Sequence, residues 1–261
     1  MLLNLSAYRF VDLDRLPERK RRIAADGCSR GLKGTVLLAP EGINLFVSGP
    51  ESPVREWFDA LRQDPAFAGL DAKESWSDAV AFDRWKVRIK REIITLRQPR
   101  IRPQDGRAAG VSPDRLERWL AQGHDDDGRP VALVDTRNGF EVQAGSFDGA
   151  IDLRLRSFTD FPAAVEAIRP ALSGRRIVTF CTGGIRCEKA AIWMNEAGFE
   201  HVVQLEGGVL RYFEDTGARH WRGDLFVFDK RVGVDSALAP TVRAVSDAID
   251  PEVFAKPPNG R

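Results

Sequence analysis

Apolar and polar residues along the first 97 positions follow the patterns of short strands and amphipathic helices. Alternating or continuously apolar runs predict strands, and apolar residues at helical spacing predict helices. The predicted elements are strands over Leu2–Phe10, Gly34–Ala39, Ile43–Ser48, Ala72–Trp76 and Trp85–Lys90, and helices over Leu13–Arg30 and Pro53–Arg62. The underlying order, strand-helix-strand-strand-helix-strand, predicts a ferredoxin-like α+β domain over residues 1–97.

The last of these strands carries a row of positive charges. Alternation along Trp85–Lys90 places Lys86, Arg88 and Lys90 on one face, and Arg91 follows directly. One interpretation is an ordinary amphipathic strand with a solvated outer face. We favour a surface for the phosphate backbone of a nucleic acid, because like charges on one strand face repel each other and a polyanion relieves that repulsion.

From residue 98 onward, strands alternate with helices. A stretch rich in Pro and Gly predicts a linker and lead-in helix over residues 98–124, followed by an α/β domain over 125–225 and a C-terminal extension over 226–261. The α/β domain is predicted to contain strands over Val131–Val134, Ala150–Leu153, Ile177–Phe180 and Val202–Leu205, and helices over Pro162–Leu172, Cys187–Glu196 and Gly207–Phe213. Such alternation implies a parallel sheet, whose ligands bind beyond the carboxyl ends of the strands.

Composition narrows the class of protein. A chain of 261 residues, 43% hydrophobic and 30% charged, is long enough for two globular domains. Its net charge of +1 means that nucleic-acid binding would depend on a local patch. Three cysteines are too few for a disulfide scaffold and predict a reducing compartment, and no metal site is predicted. We find neither a signal peptide nor a membrane span, so we expect a cytoplasmic protein that does not enter membranes.

A cysteine, Cys181, follows the predicted strand Ile177–Phe180 and precedes two glycines, an arginine and a helix. Such a loop directs several backbone N–H groups to one point, and the helix dipole adds positive potential there. A thiol at that point is expected to have a lowered pKa and to act as a nucleophile, the alternative being a buried cysteine that packs as a small hydrophobe. The loop residues expected to support an anion or oxyanion are Thr182, Gly183, Gly184, Ile185 and Arg186.

The spacing after Cys181 differs from that of a tyrosine phosphatase. Phosphatase chemistry requires the arginine at position 187, where this chain has Cys187, and Arg186 lies one position early. Phosphoryl transfer is therefore disfavoured. Cys187 itself is a candidate second thiol in the first turn of the next helix, and a purely structural role is the alternative.

Several segments resemble the signatures of a rhodanese domain. The segment Leu133–Arg137, together with Glu141 and Gly145–Ala150, is similar to the opening signature of that domain. Cys181–Arg186 is similar to its active loop, and Leu205–Gly208 is similar to its closing glycine pair. More narrowly, the chain resembles the oxygen-dependent tRNA uridine hydroxylases over most of residues 1–235. That resemblance is carried by Gly34–Asn44, Lys86–Ile93, Cys181–Ala190 and Phe226–Val232.

The resemblance implies hydroxylation of carbon 5 of the wobble uridine in tRNA to 5-hydroxyuridine, with molecular oxygen as co-substrate, the anticodon region as partner and Cys181 as the rhodanese cysteine. Many family members carry a further cysteine-rich C-terminal segment. This sequence has no cysteine after Cys187, so we expect a short form of the family. A role assigned to the cysteine-rich segment would not apply to it. The rhodanese loop alone would also suit a sulfurtransferase that uses a Cys181 persulfide. No dinucleotide fingerprint or cluster of two histidines and a carboxylate is found, so the sequence predicts no cofactor and specifies neither the electron donor nor the oligomeric state.

Overall fold

A computed structural model describes residues 1–227, 231, 233–239 and 241. The chain divides into two compact units, Met1–Ala108 and Ala109–Arg261. Most of the predicted C-terminal extension, 226–261, and part of the segment Phe226–Val232 lie outside the described residues. Among the helices in the described ranges, none combines the length and apolarity that a bilayer-spanning segment requires.

The first unit is an α+β domain built on a five-stranded sheet. Its elements are β1 (Leu2–Phe10), α1 (Leu16–Ser29), β2 (Lys33–Ala39), β3 (Gly42–Gly49), α2 (Glu51–Arg62), β4 (Ala72–Ser77) and β5 (Trp85–Ile89). The strand order is β4-β1-β3-β2-β5. The first four strands have the arrangement of a ferredoxin-like sheet, and β5 extends that sheet by pairing in parallel with β2.

Apolar residues on one face of this sheet pack against helices α1 and α2. Alternation along β1 turns Leu3 and Leu5 towards this core, where both are buried. Trp57 of α2 packs edge-on against Trp85 of β5, with ring centroids 5.4 Å apart. The indole of Trp85 also donates a hydrogen bond to the carbonyl of Ala24 in α1 (3.1 Å). The basic strand is therefore attached to the domain through its apolar face.

The opposite face of β5 carries the predicted row of cations. Val87 belongs to the core, whereas Lys86 and Arg88 are exposed, as alternation predicts. Lys90 and Arg91, which follow the strand, are exposed as well. In the parallel register Lys86 lies beside Thr35 of β2.

The segment from residue 98 to 108, predicted as the start of a linker, is folded onto the first unit. Ile101 is buried, and Arg102 forms ion pairs with Asp12 (3.1 Å) and Asp105 (2.6 Å). Pro and Gly interrupt regular secondary structure in this stretch, but the stretch still packs against the first unit. The boundary between the units accordingly lies after Ala108.

The second unit contains the predicted parallel sheet. Its principal elements are β6 (Gly110–Val111), α3 (Pro113–Gln122), β7 (Val131–Asp135), α4 (Gly139–Ala144), β8 (Gly145–Phe147), β9 (Ile151–Asp152), α5 (Phe161–Ala167), α6 (Arg169–Leu172), β10 (Arg176–Phe180), α7 (Ile185–Glu196), β11 (Val202–Leu205), α8 (Gly208–Thr216), β12 (Trp221–Gly223), β13 (Leu225–Phe226) and β14 (Gly233–Val234). The main sheet has the order β6-β11-β10-β7-β9, and every neighbouring pair in it is parallel. The carboxyl ends of its strands therefore meet at one edge.

Two features of this unit differ from the sequence prediction. The lead-in helix α3 is part of the core, where Leu116 and Trp119 are buried. The single helix predicted over Pro162–Leu172 is divided into α5 and α6, because Pro170 has no N–H with which to continue the helical hydrogen bonds. Both α3 and the strand β6 belong to the α/β unit.

Candidate active site

The loop from Cys181 to Arg186, here called the Cys181 loop, connects β10 to α7 at the carboxyl edge of the parallel sheet. Its entry is anchored by the carbonyl of Phe180, which accepts hydrogen bonds from the backbone N–H (3.0 Å) and the hydroxyl (2.8 Å) of Thr136. Its exit depends on Gly184, whose φ of 100° turns the chain into α7. The helix consequently begins two residues earlier than predicted.

The sulfur of Cys181 is fully buried and accepts a hydrogen bond from the backbone N–H of Gly184 (3.1 Å). Burial by itself raises the pKa of this thiol. A hydrogen bond from the Cys187 thiol, the positive charge of Arg186 and the backbone N–H groups of these two residues outweigh burial and lower the pKa of Cys181 to about 5. The group is therefore a thiolate at neutral pH, which is the form that acts as a nucleophile.

Cys187 lies against the same anion and remains protonated. It is fully buried, and its sulfur lies 3.9 Å from the hydroxyl of Thr136. Burial raises the pKa of Cys187 well above its ordinary value, and the adjacent Cys181 thiolate raises it further, against smaller opposing contributions from Thr136 and Arg186. The structure thus brings the candidate second thiol to Cys181, and the hydrogen bond from Cys187 favours the anionic form of Cys181.

Arg186 is held by a buried carboxylate. Its guanidinium binds Glu141 through two hydrogen bonds, Nη1 to Oε2 (2.6 Å) and Nη2 to Oε1 (2.7 Å). Burial opposes the charged form, but Glu141 and, more weakly, the Cys181 thiolate and Asp135 keep the pKa of Arg186 above its ordinary value. Only 5% of Arg186 is exposed, so its charge acts on Cys181 from within the protein. It does not present that charge to an external anion.

The Cys181 loop also packs against the start of α8. The backbone N–H of Val209 donates to the carbonyl of Cys181, and that of Leu210 donates to the carbonyl of Thr182, both at 3.0 Å. Gly208 makes this approach feasible: a Cβ at this position would lie 2.5 Å from the carbonyl oxygen of Cys181. The predicted closing glycine pair therefore lies in direct contact with the backbone of the loop.

The remaining loop residues differ in exposure. Gly183 and Ile185 are partly exposed, so the loop reaches solvent through them. Thr182 is buried, and its hydroxyl has no hydrogen-bond partner among the described residues. An unpaired buried hydroxyl is costly, and in native structures such groups often meet a ligand or an ordered water.

The four predicted RNA-binding residues lie in the first unit, whereas the Cys181 loop belongs to the second. Lys86, Arg88, Lys90 and Arg91 are all exposed. Within the described part of the chain, none of the four forms an ion pair. That part also contains no group of three or more His, Cys, Asp or Glu side chains that could hold a metal ion.

The roles of the residues that hold the loop from outside are not predictable from the sequence pattern. Glu141 was noted only as part of a rhodanese-like signature, and the same is true of Thr136. The signature also contains a buried ion pair between Arg137 and Asp135 (2.6 Å). Polar residues at the end of the buried strand β7 and just after it, Asp135 to Arg137, were the available signal. The pairing of Glu141 with Arg186 spans 45 positions and depends on the folded chain.

Two family profiles match the chain. Residues 2–93 match the UPF0176 acylphosphatase-like domain, and residues 112–215 match the rhodanese-like domain. Together with the two strand orders, these matches confirm the predicted fold class, a ferredoxin-like domain followed by a rhodanese-like α/β domain.

Similarity to whole proteins is closer. A tRNA uridine(34) hydroxylase of Bordetella petrii is 55% identical over 239 residues, which cover 92% of this chain and 95% of that protein. The tRNA uridine(34) hydroxylase of Burkholderia mallei is 54% identical over 243 residues, with coverage of 92% and 81%. Among solved structures, the rhodanese-like domain of an Anabaena protein aligns with a TM-score of 0.36 and 22% identity, covering 44% of this chain and 78% of that one. On its similarity to the two hydroxylases, the chain belongs to the tRNA uridine(34) hydroxylase family.

Proposed function

We propose that this protein hydroxylates carbon 5 of the wobble uridine of tRNA, giving 5-hydroxyuridine, with molecular oxygen as the oxidant. The observation that carries the proposal is the buried Cys181, whose sulfur accepts the backbone N–H of Gly184 at the carboxyl edge of a rhodanese-like sheet, in a chain 55% identical to a tRNA uridine(34) hydroxylase. The relatives' names support the substrate and the position, and the geometry supports Cys181 as the nucleophile. A tRNA substrate also favours the cytoplasm as the site of action.

Cys181 is the proposed catalytic thiol. Its thiolate adds to carbon 6 of the uracil ring, and the π electron pair of the 5,6 double bond moves to the carbonyl oxygen at carbon 4 as an enolate. Carbon 5 becomes electron-rich, which favours attack on an electrophilic oxygen species. Once oxygen is bound there, loss of the proton from carbon 5 restores the double bond and expels the thiolate. The low pKa of Cys181 suits both its attack and its departure.

The oxygen balance defines what the protein must obtain from outside. One atom of molecular oxygen is inserted at the C–H bond of carbon 5, and the other leaves as water, which consumes two electrons and two protons from an external reductant. We assign two tasks to the residues described above: they activate carbon 5, and they hold the base in position.

The target base has to leave the stack before it can reach a buried sulfur. Enzymes that modify a base act on flipped-out or single-stranded nucleotides, and the anticodon loop provides one. Lys86, Arg88, Lys90 and Arg91 are the proposed contacts to tRNA phosphates. Their exposure and their lack of ion pairs within the described residues support this role.

Mass spectrometry of tRNA nucleosides tests the function. In a strain that lacks this protein and any paralogue, 5-hydroxyuridine and its derivatives should disappear and should return on expression of the wild type. Cys181→Ser should fail to restore them. Cys28→Ser is the matched control, because Cys28 is an exposed cysteine of the first unit and its loss should leave activity intact.

Unchanged levels of these nucleosides in the deletion strain would contradict the function, and full activity of Cys181→Ser would contradict covalent catalysis. A sulfurtransferase is the competing function, since the same thiolate can carry a sulfane sulfur. Rapid transfer of sulfur from thiosulfate to cyanide by the purified protein, without tRNA binding or hydroxylation, would replace the proposal by that one.

A further inference from the structure

Two exposed arginines, Arg154 and Arg156, follow strand β9 and lie at the same edge of the sheet as the Cys181 loop. Strand β9 pairs in parallel with β7, which pairs in parallel with β10. Because the carboxyl ends of parallel strands meet at one edge, the chain leaving β9 and the loop leaving β10 emerge on the same side, with only β7 between them. Neither arginine belongs to a motif identified in the sequence.

A series of contacts fixes this segment relative to the Cys181 loop. Leu155, between the two arginines, is buried, and its carbonyl accepts a hydrogen bond from the backbone N–H of Gly139 (2.8 Å). The preceding residue, Asn138, donates its backbone N–H to Glu141 (3.0 Å). The same carboxylate binds the guanidinium of Arg186 at the end of the loop. The backbone between the two arginines is therefore connected through these hydrogen bonds to the carboxylate that holds the loop.

The backbone at Arg154 adopts a conformation that a side chain disfavours. Its φ is 51°, in the left-handed region, and its N–H is held by the carboxylate of Asp152 (2.7 Å). Such strain persists where the surroundings impose it, and it is concentrated at ligand clamps and active sites. The left-handed backbone is an observation independent of charge, and it supports a functional role for this segment.

The charges of the two arginines are available to an external anion. Neither forms an ion pair among the residues that the structure describes, and both are exposed. Arg186, the cation that the sequence suggested for this edge, is buried and bound to Glu141. Of these three arginines at this edge of the sheet, Arg154 and Arg156 are the two whose charges face solvent.

We propose that Arg154 and Arg156 form a phosphate clamp that holds the RNA backbone beside the target uridine while its base enters the Cys181 loop. The proposal rests on the proposed function, which supplies a polynucleotide as substrate. Guanidinium groups bind phosphate oxygens through charge-assisted hydrogen bonds, and contacts of this kind set position without reading sequence. The clamp residues are positioning residues, since they contact the backbone and not the reacting atoms.

The test is the salt dependence of binding to an anticodon stem-loop RNA with uridine at the wobble position. In Arg154→Asn/Arg156→Gln, the slope of log affinity against log salt should fall by about 0.7 for each lost contact to single-stranded RNA. Asn is chosen at position 154 because it tolerates the left-handed conformation. The KM for tRNA should rise, with a smaller change in kcat.

Two further variants and a control make the result decisive. Arg154→Lys/Arg156→Lys should keep most of the slope, because the charges remain. Arg156→Gln alone, which leaves the strained position intact, should remove one contact. Arg118→Gln is the matched control: Arg118 is an exposed arginine of the same unit, and its partner Asp126 precedes β7, at the opposite edge. It should bind like the wild type.

An unchanged slope and KM in the doubly neutral variant would overturn the clamp, and so would an equal loss in Arg118→Gln. The clamp and the proposed function can fail separately. A wild type that makes 5-hydroxyuridine while the neutral variant binds normally refutes only the clamp. A changed slope in a protein that makes no 5-hydroxyuridine supports the clamp and refutes the hydroxylase function.

Discussion

Replacing Gly208 by alanine tests whether contact between α8 and the Cys181 loop controls activity. The added Cβ would lie 2.5 Å from the carbonyl oxygen of Cys181, 2.6 Å from the nitrogen of Gly184 and 2.8 Å from the carbonyl carbon of Gly183. All three atoms belong to the backbone of the loop, so no flexible side chain can move aside. The loop itself has to shift, and with it the N–H group of Gly184 that binds the Cys181 sulfur.

The expected destabilisation has two parts. Gly208 has a φ of 65°, and a side chain in this left-handed conformation costs about 1–2 kcal/mol. Overpacking at a close contact costs about 1–3 kcal/mol more, so the sum is about 2–5 kcal/mol. Gly217, at the other end of α8, is the matched control: its φ is 67°, but no heavy atom lies within 4 Å of its added Cβ. Gly217→Ala should therefore show the first part only, about 1–2 kcal/mol.

Urea unfolding and tRNA nucleoside analysis measure the two consequences. Gly208→Ala should unfold at a lower urea concentration than Gly217→Ala, with a similar m-value, and should form little 5-hydroxyuridine under conditions where it is folded. Gly217→Ala should retain activity. If both variants unfold at the same urea concentration and produce equal amounts of 5-hydroxyuridine, the contact between Gly208 and the loop has no role in either property.

Three other substitutions test groups around the sulfur. Glu141→Gln leaves Arg186 buried without its counter-ion and should lower the free energy of unfolding by about 3–5 kcal/mol; an unchanged urea midpoint would contradict this. Cys187→Ala removes a hydrogen bond that lowers the pKa of Cys181, so the acid limb of the pH–rate profile, expected near pH 5 in the wild type, should move upward; a fixed limb would refute the coupling. Thr182→Val deletes an unpaired buried hydroxyl and should not lower the urea midpoint, whereas a clear drop would reveal a partner for that hydroxyl.

The position of Cys181 was predictable because its determinants are local. An apolar β-branched run predicted β10, the glycines predicted the turn, and the order of elements placed the cysteine at a carboxyl edge. The basic face of β5 was predictable for the same reason, since alternation alone separates Lys86 and Arg88 from Val87. The predicted start of α7 differs from the observed start by only two residues. The helix begins directly after Gly184, which adopts a conformation that the sequence permits but does not require.

The contacts that tune the sulfur were not predictable, because they join residues distant in sequence. Glu141 meets Arg186 across 45 positions, which turns the expected loop cation into a buried partner of a carboxylate. The protonated state of Cys187 follows from its burial beside a thiolate and not from its position in a helix. Arg154 belongs to a stretch without regular periodicity, and its left-handed conformation accompanies a hydrogen bond to Asp152 and the burial of Leu155.

Strand β5 lies at the edge of its sheet, hydrogen-bonded to β2 on one side. An edge strand offers its other row of backbone N–H and C=O groups to any strand of a second molecule, and charged side chains are the common protection against such aggregation. Lys86, Arg88 and Lys90 supply that protection, because a second copy of β5 would bring the same charges together. Neutralising all three would therefore remove an electrostatic barrier to self-association along with the proposed RNA contacts.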